Sequence, residues 1–224
     1  MITVKQAMQD KNVFLFDFDG TIVDSMGMWG RVDMTIVERH GGTVPPDFLD
    51  ILVPLSEEET AQCFLDHGCS GTVESIMNEI NELANAEYAN TIAVKPGAKR
   101  LIESLRESGA RLGLVTAATL ERILPCLERN GMSGYFNLIL TCDSVEMPKS
   151  DPEIYRLALR YLNAQPEQAV VFDDSLTAIR TAKQAGLGTI GVYDDHAAKN
   201  WENMKQTADA TMTSFEECLP TDSL

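Results

Sequence analysis

A chain of 224 residues, 44% hydrophobic and 23% charged, has room for one core plus a small second domain, and its composition excludes disordered and fibrous classes. Its 34 acidic and 18 basic residues leave a net charge of −16, a surface that repels nucleic acid and anionic membrane and so removes both as expected partners. No apolar run is long enough to span a bilayer, and the five cysteines lack metal-ligand spacing, so they read as reduced thiols.

The polar residues 1–12 lead into Val13-Phe14-Leu15-Phe16, the first predicted strand. This run is too short for a signal-peptide core, and the expected compartment is the cytosol. Helical patterns then follow at 28–40, 57–67 and 73–89 with no convincing strand between them. Residues 41–94 contain no Lys or Arg at all. A compositional shift of this kind, in a stretch too long for a crossover connection, predicts an inserted helical domain over residues 25–93.

After Lys95-Pro96-Gly97 the pattern changes to strand–helix alternation. Strands are predicted at 112–115, 138–140, 169–172 and 189–192. One helix runs from Gly97 to about Ser108, and another from Thr119 to near Gly131, with Pro125 inside it expected to introduce a kink. A third starts at Asp151-Pro152, an N-cap followed by proline at the first helical position, and a fourth spans Ser175 to Gly186. The alternation predicts an α/β fold with a doubly wound parallel sheet, built from residues 1–24 and 94–224.

In such a sheet, ligands bind beyond the carboxyl ends of the strands. The residues there are Asp17-Phe18-Asp19-Gly20-Thr21, then Thr116-Ala117-Ala118, then Lys149-Ser150-Asp151-Pro152, and finally Asp173-Asp174-Ser175. Alone each is weak: an Asp-Gly is usually a turn, a lysine usually a solvated charge, and Asp-Asp-Ser equally a helix cap. Together they place four carboxylates, a hydroxyl and a lysine on one sheet edge. Crowded carboxylates call for a cation, and an all-oxygen set suits Mg²⁺. A carboxylate can also accept a phosphoryl group, while a second one two residues on acts as acid and base. None of His40, His67 and His196 falls on these segments, and no catalytic role is expected of them.

The four segments closely resemble the motifs of the haloacid dehalogenase (HAD) superfamily, in its phosphatase and phosphomutase branch with a helical cap. The resemblance implies a Rossmann-like core and a cap hinged near 23–25 and 90–95. It implies that Asp17 forms an aspartyl-phosphate and that Asp19 is the general acid/base. Thr116 and Lys149 would hold the transferring group, with Ala117 and Arg31 also placed to bind substrate. Mg²⁺ would be held by Asp17, the Asp19 carbonyl and Asp174, with Asp173 beside them. Dehalogenating members lack an aspartate at the position of Asp19. Lys149 is followed by Ser150 where the family usually has proline, so a less rigid loop is expected there.

The expected substrate is a small phosphorylated metabolite, and a monomer is the default state. β-Phosphoglucomutase-type transfer is the competing expectation, because Thr116-Ala117-Ala118 is similar to the mutase motif. Mutases continue with a Lys-Asn pair, however, where this chain has Thr119-Leu120. Between Ser25 and Ala93 only Arg31 and Arg39 are basic, against twelve acidic residues, which leaves few cations for a second phosphate. Met26, Met28 and Trp29 read first as packing residues of the inserted helices. A non-catalytic binding protein of the same fold would be expected to have lost Asp17 or Asp19, and both are present.

Overall fold

The β-branched and aromatic runs form one six-stranded parallel sheet in the computed structural model of the chain, which describes residues 2–52 and 55–219. The strands are β1 (Val13–Phe16), β2 (Arg111–Thr116), β3 (Leu138–Thr141), β4 (Ala169–Asp173), β5 (Gly188–Val192) and β6 (Ala210–Met212). Their order is β3-β2-β1-β4-β5-β6, so the direction of winding reverses between β1 and β4. Every residue of β1 and β4 is buried, which is why these two strands read as continuous runs rather than alternating ones. The first five strands lie within a residue of their expected bounds. The sixth, only three residues on the sheet edge, carries too little periodicity to be seen in the sequence.

The helices in chain order begin with α1 (Val4–Met8), α2 (Met26–His40), α3 (Phe48–Leu52), α4 (Glu57–Asp66), α5 (Val73–Asn90) and α6 (Ala98–Glu107). They continue with α7 (Leu120–Arg129), α8 (Cys142–Val145), α9 (Pro152–Tyr161), α10 (Leu176–Gln184) and α11 (Trp201–Thr207). Helix α7 carries on across Pro125 as one element despite the missing amide donor. Asp151 caps α9 through Glu153 N, and Ser175 caps α10, as the sequence signals indicated. No helix among the described residues is long and apolar enough to cross a membrane.

The chain divides into two compact units, one of Met1–Asp24 with Ala93–Leu224 and one of Ser25–Ile92. The first holds the sheet. One apolar cluster under it joins Leu15, Val115 and Val171 of the strands to Ile154, Tyr155 and Leu159 of α9. The second unit is helical, with α5 packed against α2 and α4. Ser56 and Thr72 cap α4 and α5 with reciprocal side-chain bonds. At the end of α2, His40 sits between Ser70 O and Glu79 Oε2, each 2.6 Å away, while Arg39 pairs with the same glutamate at 2.7 Å. Phe48 meets Phe64 edge-on at 5.3 Å inside this unit.

Candidate active site

Register decides which side chains meet at the switch point. Phe16 and Phe172 are partners across β1 and β4, and their rings stack 4.7 Å apart on one face of the sheet. Because side chains alternate along a strand, the next pair, Asp17 and Asp173, turns to the opposite face. Asp17 N donates to Phe172 O at 2.9 Å, which extends the β1–β4 ladder by one bond and fixes the Asp17 backbone. Both aspartates are buried.

Lys149 joins them. Its Nζ lies 2.9 Å from Asp17 Oδ1 and 2.5 Å from Asp173 Oδ2. The lysine rides on a turn closed by Asp151 N donating to Pro148 O at 3.0 Å, and Asp151 is itself the cap of α9. These bonds flank Ser150 on the loop between Lys149 and α9.

Asp174 is held from another direction. Thr21 Oγ1 donates to Asp174 Oδ1 at 2.9 Å and accepts from Asp174 N at 3.1 Å. Between Asp19 and Thr21 the chain turns through Gly20 at φ +69°, and a Cβ there would stand 2.6 Å from Asp174 Oδ2. Only glycine meets both conditions. Ser175 N donates to Asp173 Oδ1 at 2.8 Å, so each carboxylate of the pair has its own anchor.

None of these bonds involves the remaining expected site residues. Thr116 ends β2, is buried, and accepts from Ala118 N at 3.1 Å; Ala117 between them is exposed. Asp19 is half-buried two residues past Asp17 and bridges to Val23. Arg31 belongs to the helical unit, where it pairs with Glu87 at 3.1 Å with its side chain 61% exposed.

Asp17, Asp173 and Asp174 each offer a carboxylate oxygen, and these atoms lie within 4.8 Å of one another. Burial pushes Asp174 up to about 7, with the Asp17 charge adding to it and Lys149 and Thr21 opposing. Burial also drives Asp173 well above the carboxylate range, more than Lys149 pulls it back. For Lys149, burial favours the neutral amine, but Asp17 and Asp173 reverse that and hold the ammonium firmly protonated. Three crowded carboxylates against one ammonium leave room for a divalent cation, and an all-oxygen donor set fits Mg²⁺.

Sequence reasoning missed Tyr155. It is fully buried, its hydroxyl has no hydrogen-bond partner among the described residues, and Lys149, Asp173 and Asp17 all act on it electrostatically. In the sequence it is one more apolar-face position of α9, beside Ile154 and Leu159, and nothing distinguishes it there.

A model of the family described as haloacid dehalogenase-like hydrolase matches residues 14–192. The chain is 26% identical over 207 residues to a phosphorylated carbohydrates phosphatase of Thermotoga maritima, covering 92% of this chain and 95% of that protein. It is 30% identical over 190 residues to validoxylamine A 7′-phosphate phosphatase of Streptomyces hygroscopicus subsp. limoneus, covering 84% and 88%. Among solved structures, a mutant form of CbbY from Rhodobacter sphaeroides in complex with xylulose-(1,5)bisphosphate matches with a TM-score of 0.75 at 28% identity, over 92% of this chain and 95% of that one.

Proposed function

The chain belongs to the haloacid dehalogenase-like hydrolases, and on that premise we propose that it hydrolyses a small phosphate monoester in a Mg²⁺-dependent reaction, with Asp17 as nucleophile. The observation that carries this reading is the Asp17–Lys149–Asp173 cluster at the sheet switch point, with Asp174 beside it. In this reading the sheet-bearing unit, residues 1–24 and 94–224, is the catalytic core, and residues 25–93 are the cap. The phosphatase names of the relatives support the reaction class.

The chemistry follows from the side chains. A carboxylate oxygen of Asp17 attacks phosphorus as the bond to the leaving oxygen breaks, and Asp19 gives that oxygen a proton. Asp19 then takes a proton from water, whose oxygen attacks the phosphorus of the aspartyl-phosphate. The Asp17–phosphate bond breaks, inorganic phosphate departs, and the Asp17 carboxylate is restored. Lys149, the Thr116 hydroxyl and the backbone amides beyond β2 bind the non-bridging oxygens, where charge is spread in the transition state. Asp17, Asp174 and the Asp19 carbonyl would hold Mg²⁺, with Asp173 positioned by Ser175 N and Lys149. When bound, the ion supplies positive charge to the phosphoryl oxygens.

Water as the acceptor is supported by the start of α7. Where mutases carry a Lys-Asn pair, Thr119 is the N-cap and Leu120 is an exposed apolar side chain. The test is release of inorganic phosphate from a panel of sugar, polyol and carboxylic-acid phosphates, with and without Mg²⁺. Metal-dependent release from at least one of them is expected, and an inert enzyme across the panel contradicts the reading.

A further inference from the structure

Lys95 is a half-buried lysine that the mechanism above does not use. It lies where the chain returns to the sheet-bearing unit, and its backbone N donates to Ile22 O at 2.8 Å. Asp24 N donates to Ala93 O at 2.9 Å, so residues 22–24 and 93–95 run as a short antiparallel pair through the Val23–Val94 bridge. The side chain then reaches past this pair. Its Nζ lies 2.5 Å from Gly20 O, 3.1 Å from Tyr193 O and 2.8 Å from Asp194 Oδ2. An ammonium has three N–H donors, and each has an acceptor here.

Even partial burial of an ammonium carries a cost, which good geometry offsets. The partner Asp194 is itself 5% exposed and is fixed by His196 N, which donates to its Oδ1 at 2.9 Å. Lys95 is therefore anchored to the end of β5 and grips one carbonyl of the loop after β1. That carbonyl belongs to the Gly20–Thr21 peptide. One residue upstream is Asp19; one residue downstream is the Thr21 hydroxyl that holds Asp174. Gly20 is the loop's most permissive residue, at φ +69°, so a bond to its carbonyl removes the freedom that glycine introduces.

We propose that Lys95, anchored by Asp194, is a positioning residue for the acid/base step: its bond to Gly20 O orients the loop so that the Asp19 carboxyl meets the leaving oxygen. This rests on the proposed phosphatase reaction. A purely structural role would lower stability and slow all substrates alike. A positioning role makes the loss depend on how much the leaving group needs a proton.

Phenyl phosphate and 4-nitrophenyl phosphate separate the two, because they are similar in shape and only phenolate needs protonation to leave. First-turnover release of each phenol is measured in Lys95→Met, which keeps most of the stem and drops the ammonium. General acid catalysis contributes on the order of 10²–10⁴-fold, so a misplaced Asp19 is expected to slow phenol release about 10–100-fold while nitrophenol release changes less than about 3-fold. Asp194→Asn, which keeps an acceptor but removes the charge, is expected to give a smaller loss in the same sense. It carries the test if Lys95→Met does not fold. Equal losses on both substrates, or no loss on either, in an active enzyme overturn the proposal alone. An inert wild type, or full activity in Asp17→Asn, overturns the phosphatase reading beneath it.

Discussion

The Lys149 ammonium stands 2.9 Å from Oδ1 of Asp17, in a site that also contains Asp173 and Asp174. The pair joins the end of β1 to the loop before α9. It sets a positive charge beside the carboxylate proposed to attack phosphorus, where a phosphoryl group carries negative charge that needs an answer.

Lys149→Met is expected to lower turnover by about 10²–10³-fold, the usual cost of losing one transition-state donor. It also leaves buried carboxylates without their cation, a change that costs on the order of 3–5 kcal/mol. Melting curves of the variant with and without Mg²⁺ check the second point. The drop in melting temperature is expected to be larger without the ion.

Mg²⁺ itself is expected to stabilise the folded protein. At about 100 times its dissociation constant a ligand that binds only the native state adds about 2.7 kcal/mol. Melting temperature followed against Mg²⁺ concentration reads this directly, and Asp174→Asn is expected to flatten the response. Chelation by EDTA is expected to abolish phosphate release and restore the metal-free melting temperature.

Gly20→Ala brings a methyl to 2.6 Å from Asp174 Oδ2 at a φ that L residues rarely adopt. Asp174 has to move, or the loop does. The variant is expected to need about tenfold or more Mg²⁺ for half-maximal activity, measured by titrating phosphate release. An unchanged Mg²⁺ requirement separates Asp174 from the metal.

Asp33 offers a test away from the site. It is 9% exposed on α2, and burial pushes its carboxyl up to about 6 from 3.8. The folded state then binds a proton that the unfolded state has released, so Asp33 favours folding below about pH 4 and loses that contribution as pH rises through about 6. Asp33→Asn is expected to gain up to about 2 kcal/mol at pH 7.5 and almost nothing at pH 4, read from melting curves at the two pH values. A gain of equal size at both contradicts the assignment.

Much of the sheet was legible because buried parallel strands write themselves as short apolar runs ending in polar residues. Asp17, Asp19, Thr116 and the Asp173–Asp174 pair stand at or just past such ends, and Lys149 follows β3 beyond α8 in the loop before α9, which is what made them readable as a group. Helices α3 and α8 were not, since five residues or fewer cannot display a 3.6-residue period, and the three residues of β6 are too few to form an apolar run. Lys95 and Tyr155 were missed for another reason. Their significance lies in partners far along the chain, Asp194 for one and the Lys149 cluster for the other, and no local pattern announces them. Arg31 was chosen as a rare cation in an acidic stretch; its observed partners, Glu87 and Gly27 O, lie within its own helical unit.

The most direct measurement is acid quench of the enzyme during turnover of 4-nitrophenyl phosphate with Mg²⁺, followed by mass spectrometry of its peptides. One phosphoryl group is expected on the peptide carrying Asp17, mapped to that side chain, and both adduct and phosphate release are expected to vanish in Asp17→Asn. Sustained phosphate release by Asp17→Asn, with no phosphorylated Asp17 in the wild type, contradicts the account.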